Sequence, residues 1–185
     1  MNNEGKSSSL KVTDRTKWVV IVGLFMALNI VMSMSFFSIP VPGGHLYLCD
    51  LIICTAALLL DPVGAFVVGG VGSFIGDMLF YPLPMFVSLA THGLQAVVIS
   101  LISHSSNKGV FKKPEVKALV ATLAGAVIMV TGYTLGKIFV YSTFEYAMMK
   151  LPYEIAQALI GVIGSVLLCY KAGLAKIYRK IVEDK

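Results

Sequence analysis

Charge is what this sequence is short of. Only 14% of its 185 residues are Asp, Glu, Lys or Arg, against 57% that are hydrophobic, and the mean hydropathy is +0.82. Soluble domains average about 25% charged and about 45–50% apolar residues. A chain of this length could not hide so much apolar surface from water, so lipid is its expected solvent. Several motifs are missing as well. The glycines at 69, 70, 72 and 76 fit neither G-x-G-x-x-G nor G-x-x-x-x-G-K-S/T and have no adjacent Lys, and no H-E-x-x-H spacing occurs. No nucleotide cradle and no zinc-peptidase helix are therefore expected. Cys49, Cys54 and Cys169 contain no C-x-x-C pair, and they read as small apolar residues of buried helices rather than a metal site or disulfide framework. Neither catalytic residues nor a cofactor nor a metal is expected. The net charge of +5 is interleaved with apolar runs instead of gathered on one soluble face, which argues against nucleic acid as a partner.

What is present is a series of six apolar stretches, at about 18–37, 47–60, 63–80, 84–103, 118–141 and 152–170. A tilted membrane crossing needs ~20 residues. The expected fold is an all-α integral membrane protein, a single domain of six transmembrane helices spanning 1–185. The first run is longer than a signal-peptide core and lacks a small-x-small cleavage site, so it is read as a retained helix. The second is short and is stopped by Asp61-Pro62; the third is interrupted by Gly64, Gly69, Gly70, Gly72 and Gly76. Such spans are tolerated where neighbouring helices cover them. One long hairpin of two half-helices is the alternative for 47–80.

Orientation follows from the distribution of Lys and Arg. With the N-terminus inside, six crossings place Lys6, Lys11, Arg15 and Lys17, then Lys108, Lys112, Lys113 and Lys117, then Lys171, Lys176, Arg179, Lys180 and Lys185 in the cytoplasm. Of the 15 basic residues only Lys137 and Lys150 fall elsewhere. Both termini are expected to be cytoplasmic.

An ionisable or strongly polar side chain in a span is a functional-site hypothesis by default. On this topology such residues gather toward the outer side. His45, Tyr47 and Asp50 lie in or just after the first external loop, and Asp77 and Tyr81 end helix three. His92 and Gln95 lie in the outer part of helix four. Tyr133, Lys137 and Tyr141 share one face of helix five at i, i+4, i+8. Glu145, Tyr153, Glu154 and Gln157 belong to the last external loop and the start of helix six. The pattern suggests a polar pocket opening outward. Each residue also has a structural reading. Asp50 and Asp61 could cap helices, and Tyr81, Tyr141 and Tyr153 could be interfacial belt aromatics. His92 could bond a neighbouring carbonyl, Lys137 could snorkel to the headgroups, and Asp77 could pair with Lys137. Small residues at packing spacing, Gly23/Ala27, Gly72/Gly76, Gly132/Gly136 and Gly161 with Gly164-Ser165, allow close helix contact. One of these pairs could face a separate membrane partner.

The segments "DPVGAFVVGGVGSFIGD" at 61–77, "HGLQA" at 92–96 and "PYEIAQALIGVIGS" at 152–165 resemble the substrate-binding S components of energy-coupling factor (ECF) vitamin transporters. The likeness is to the riboflavin-type branch, which includes hydroxymethylpyrimidine and pyridoxine members. The resemblance implies a high-affinity, outward-facing vitamin pocket lidded by the loop between helices one and two. It also implies a transmembrane coupling (T) protein and two cytoplasmic ATPases as partners, with delivery by reorientation in the membrane. In that family an alanine-x-x-x-alanine pattern on helix one packs on the coupling protein; Gly23 and Ala27 occupy the matching positions. The lid would be "PVPGGHLYL" at 40–48. His92, Gln95, Lys137, Tyr133, Glu154 and Gln157 would be hydrogen-bond partners, with aromatics stacking on a flat ring. One cation with carboxylates and a histidine suits a small neutral ring bearing hydroxyls, which favours pyridoxine or hydroxymethylpyrimidine over riboflavin. A small intramembrane enzyme and a stand-alone secondary transporter are the competing classes. The first has no nucleophile or ligand spacing to support it, and the second no visible inverted repeat.

Overall fold

The computed structural model describes residues 15–34, 38–105 and 113–183. Lys6, Lys11, Lys108, Lys112 and Lys185, and the end of the first apolar run at Phe37, lie outside the described residues. Helix α1 is Arg15–Met32, followed by a two-stranded antiparallel hairpin of β1 Ile39–Val41 and β2 Gly44–Leu46, and then α2, Cys49–Leu59. Four long helices follow: α3 Pro62–Phe80, α4 Met85–His104, α5 Pro114–Tyr141 and α6 Phe144–Lys171. A short amphipathic helix, α7 Leu174–Glu183, closes the chain.

Five of these helices, α1 and α3 to α6, are long and apolar enough to cross a membrane; α2 has only 11 residues. Its sequence, CDLIICTAALL, is buried at nine of those positions. A helix apolar all round and surrounded by others needs no lipid-spanning length, because neighbours cover its ends. The second apolar stretch is thus a short inner helix wrapped mainly by α4 and α6. The hairpin is the one departure from an all-helical chain among the described residues.

Local chemistry explains the other boundaries. Pro62 sits at the first position of α3 behind Asp61, where its missing N–H costs nothing. The last long helix begins at Phe144, not at Pro152, which lies inside it. The Thr143 hydroxyl accepts from the Tyr146 amide at 3.3 Å, and Glu145 sits in the first turn. These are the ordinary N-terminal signals of a helix. Both α3 and α5 contain a π-type turn, at Val67–Val71 and Lys137–Tyr141. In α3, Asn29 of α1 donates through Nδ2 to the Val68 carbonyl at 2.7 Å and to Ser73 Oγ at 3.1 Å, a partner for a carbonyl at the widened turn.

Most of the small-residue pairs prove to be internal. A Cβ on Gly72 or Gly76 would meet Asn29 or Ser33 of α1. One on Gly132 or Gly136 would meet Thr91 or Val87 of α4, and one on Gly161 or Gly164 would meet Asp50 or Leu51 of α2. Gly23 is different: among the described residues nothing lies within 4 Å of a Cβ built there. It shares an open face of α1 with exposed Val20, Leu24, Ala27 and Leu28.

Candidate functional site

One end of the bundle carries a cavity of about 380 Å³, walled by the hairpin, the start of α2, the α3–α4 turn and the ends of α5 and α6 that meet at Ser142. Eleven residues anticipated from sequence line it: His45, Tyr47, Asp77, Tyr81, His92, Tyr133, Lys137, Tyr141, Tyr153, Glu154 and Gln157. Asp50 and Gln95 do not. Both are 1% exposed and belong to the floor beneath it, where they bond to other side chains rather than to the cavity.

That floor is a chain of hydrogen bonds. Asp50 accepts from Gln95 Nε2 at 2.8 Å on one oxygen and from Gln157 Nε2 at 2.6 Å on the other. A carboxylate with an amide on each oxygen is a satisfied buried charge. Since Gln95 donates to Asp50, its Oε1 is left to accept, and His92 Nδ1 lies 2.7 Å from it. That bond places a proton on Nδ1, so in its neutral form the imidazole presents Nε2 as an acceptor. His92 is 2% exposed and lines the cavity. Its ring meets Tyr133 edge-on, with centroids 5.1 Å apart. Tyr133 is held in turn: its hydroxyl is 2.5 Å from Ser88 Oγ, and Ser88 donates to Asp77. Gly161 makes the Asp50–Gln157 contact possible, because a Cβ there would lie 2.9 Å from Asp50 Cβ.

A second charged centre lies on the wall. Lys137, inside the π-type turn of α5, pairs with Glu154 of α6; their side chains are 5% and 9% exposed. Lys137 Nζ also stands 5.2 Å from the Tyr133 ring centroid, within cation–π range. Asp77 pairs with Ser88, not with Lys137. The second Glu154 oxygen, Oε2, is buried and has no partner among the described residues, although Glu154 lines the cavity. An orphaned buried carboxylate oxygen is uncommon and calls for a donor.

The hairpin forms the roof. Its pairing sets Val41 opposite Gly44, with Pro42 and Gly43 between them. Gly43 has φ +78°; proline followed by a positive-φ glycine is the signature of a type II turn. Three bonds fasten it. Tyr146 donates from its hydroxyl to the Gly43 carbonyl at 2.5 Å, and Lys150 Nζ donates to the His45 carbonyl at 3.0 Å. The Tyr47 amide donates to Gln157 Oε1 at 2.9 Å. Tyr47 follows the hairpin half-buried, and that burial raises its phenol above the usual tyrosine range. Both polar ends of Gln157 are thus engaged by the protein itself.

Sequence reasoning missed Tyr146 and Lys150, the i, i+4 pair that holds the roof, because it began the last helix eight residues too late. It also missed Ser33, Ser73 and Met129, which line the cavity and carry no local signal. Histidine, carboxylate, lysine and tyrosine side chains therefore line a half-enclosed space, an arrangement suited to holding a polar ring.

A roofed polar pocket set in membrane-length helices defines a membrane receptor for a small solute, and comparison with known proteins gives that class a name. The fold matches that of the S component in a structure described as the structure and mechanism of the S component of a bacterial ECF transporter. The TM-score is 0.65 at 16% identity, over 88% of this chain and 98% of that one. The model of a family described as the ECF-type riboflavin transporter S component matches residues 13–176. This chain belongs to that family: it is a multi-pass membrane protein and the substrate-binding subunit of a transporter, not an enzyme. It is also 30% identical, over 128 residues, to a protein of Pyrococcus woesei described only as an uncharacterized protein in a gap 3' region. That match covers 68% of this chain and 81% of that protein.

Proposed function

We propose that this S component captures a single-ring heteroaromatic vitamin bearing hydroxyl or amino groups, of the pyridoxine or hydroxymethylpyrimidine kind. It hands the vitamin on with a transmembrane coupling protein and two ATPases. The observation that carries the reading is Glu154 on the cavity wall, whose buried Oε2 has no partner among the described residues, with His92 as a second acceptor beside the same space. Two acceptors call for a ligand with two donors. A volume of about 380 Å³ is at the small end of the ~300–1,000 Å³ range of ligand pockets. In this reading α2 completes six crossings with both termini cytoplasmic, as the basic residues favour. The open Gly23/Ala27 face of α1 is where the coupling protein packs.

Riboflavin is the second reading, favoured by the description of the matching family. Calorimetric titration of the purified protein with pyridoxine, hydroxymethylpyrimidine and riboflavin separates the two. Saturable binding of a single-ring vitamin, weakened at least tenfold by Glu154→Gln, is expected. Tight riboflavin binding with no heat from either small ring would overturn it.

A further inference from the structure

The end of the bundle opposite the cavity carries a feature that vitamin binding does not use. Gly173, with φ +79°, follows α6 and turns the chain into α7. The short helix then runs across the bundle end. Tyr178 is 4% exposed and packs in the core cluster, close enough to Asp61 of the α2–α3 turn for that carboxylate to help push its phenol up to about 12, with burial the larger cause. Farther along, the Ile181 carbonyl accepts from Lys17 Nζ at the start of α1 at 3.2 Å.

The sequence of α7, LAKIYRKIVE, is divided by face. Leu174, Tyr178 and Val182 contact the bundle. Ile177 and Ile181 lie on the adjoining flank and are 55% and 48% exposed. Lys176, Arg179 and Lys180 are exposed on the remaining arc. A helix lying across the end of a membrane bundle, apolar on one flank and cationic beyond it, matches what the headgroup boundary of a bilayer favours. Isoleucines there enter the acyl edge while lysines meet phosphates. Lys171 at the end of α6 and Arg15 at the start of α1 extend the basic rim.

We propose that α7 is an interfacial helix that docks on anionic phospholipid at this end of the bundle, through Ile177 and Ile181 in the acyl boundary and Lys176, Arg179 and Lys180 on the headgroups. Negative lipid is the occupant that suits both halves of the surface; neutral lipid would leave the three cations without counter-charge.

The test uses full-length protein in nanodiscs of phosphatidylcholine with or without about one-third phosphatidylglycerol, the larger anionic share strengthening the attraction to Lys and Arg. Cys49, Cys54 and Cys169 are buried, so a polarity-sensitive fluorophore can be directed to Ile181→Cys. With phosphatidylglycerol the label is expected to shift to the blue and to be quenched by doxyl lipid but not by iodide. Spin-labelled phosphatidylglycerol should be retained several-fold over spin-labelled phosphatidylcholine, and the triple variant K176E/R179E/K180E should abolish that preference. Adding I177S to the labelled Ile181→Cys protein, with the cations intact, should weaken the doxyl quenching while keeping part of the preference. A label open to iodide in anionic discs, as for a helix reserved for a soluble protein, would overturn the proposal. So would a lipid preference untouched by charge reversal.

Discussion

Gln157 is where roof and floor of the cavity meet, which makes Gln157→Met the most informative single change. Methionine keeps the length and volume of the side chain and removes both hydrogen bonds. The lost bond to Asp50 is to a charged acceptor, worth about 1.5–3 kcal/mol net, and the one from the Tyr47 amide is neutral, worth about 1 kcal/mol. Gln157 borders the cavity, so water can partly replace the side chain, and the expected loss is about 2–3 kcal/mol. For a chain of this size each kcal/mol moves Tm by about 2–4 °C, so ligand-free thermal unfolding in detergent should fall by about 4–12 °C. The location matters more than the size. The Tyr47 amide donates only to Gln157 Oε1 among the bonds of the roof, so hydrogen exchange across 39–48 should quicken while exchange in α4 stays as it was. Unchanged exchange at Tyr47 together with a Tm shift below a degree would refute the coupling of roof to floor.

Four further outcomes are expected. Lys137→Met strands the buried Glu154 carboxylate and should destabilise by about 3–5 kcal/mol; the double variant Lys137→Met/Glu154→Gln should recover most of that in the same unfolding assay. Tyr146→Phe removes the latch on the Gly43 carbonyl, a loss of about 1 kcal/mol that should speed vitamin release about fivefold, read by stopped-flow dilution. Gly161→Ala forces a Cβ against Asp50 and should lower stability by about 1–3 kcal/mol. Gly23→Ala, which meets nothing within 4 Å among the described residues, should leave Tm unchanged or slightly raised.

Much of this protein was legible in its residues because hydrophobicity and charge act locally along the chain. Five long apolar helices stand where apolar runs stand, and Asp61-Pro62 ends one element and starts the next as capping chemistry requires. The polar residues did collect at one end. The sequence could not say which of them would face the space between the helices. Asp50 and Gln95 look as ligand-like on paper as His92, yet they are used up beneath it. Asp77, a natural partner for Lys137 by charge, is claimed by Ser88, and Glu154 takes the lysine instead. Such choices turn on contacts between residues far apart in sequence, such as Asp50 with Gln157. They also turn on close approaches like that at Gly161, which no local pattern encodes. The same holds for the basic tail. Its lysines were countable from the start, but only the tertiary fold lays α7 across the bundle end and divides its cations from its isoleucines. Composition settled which solvent the chain lives in; packing in three dimensions settled which buried polar atoms found partners among the described residues and which few did not.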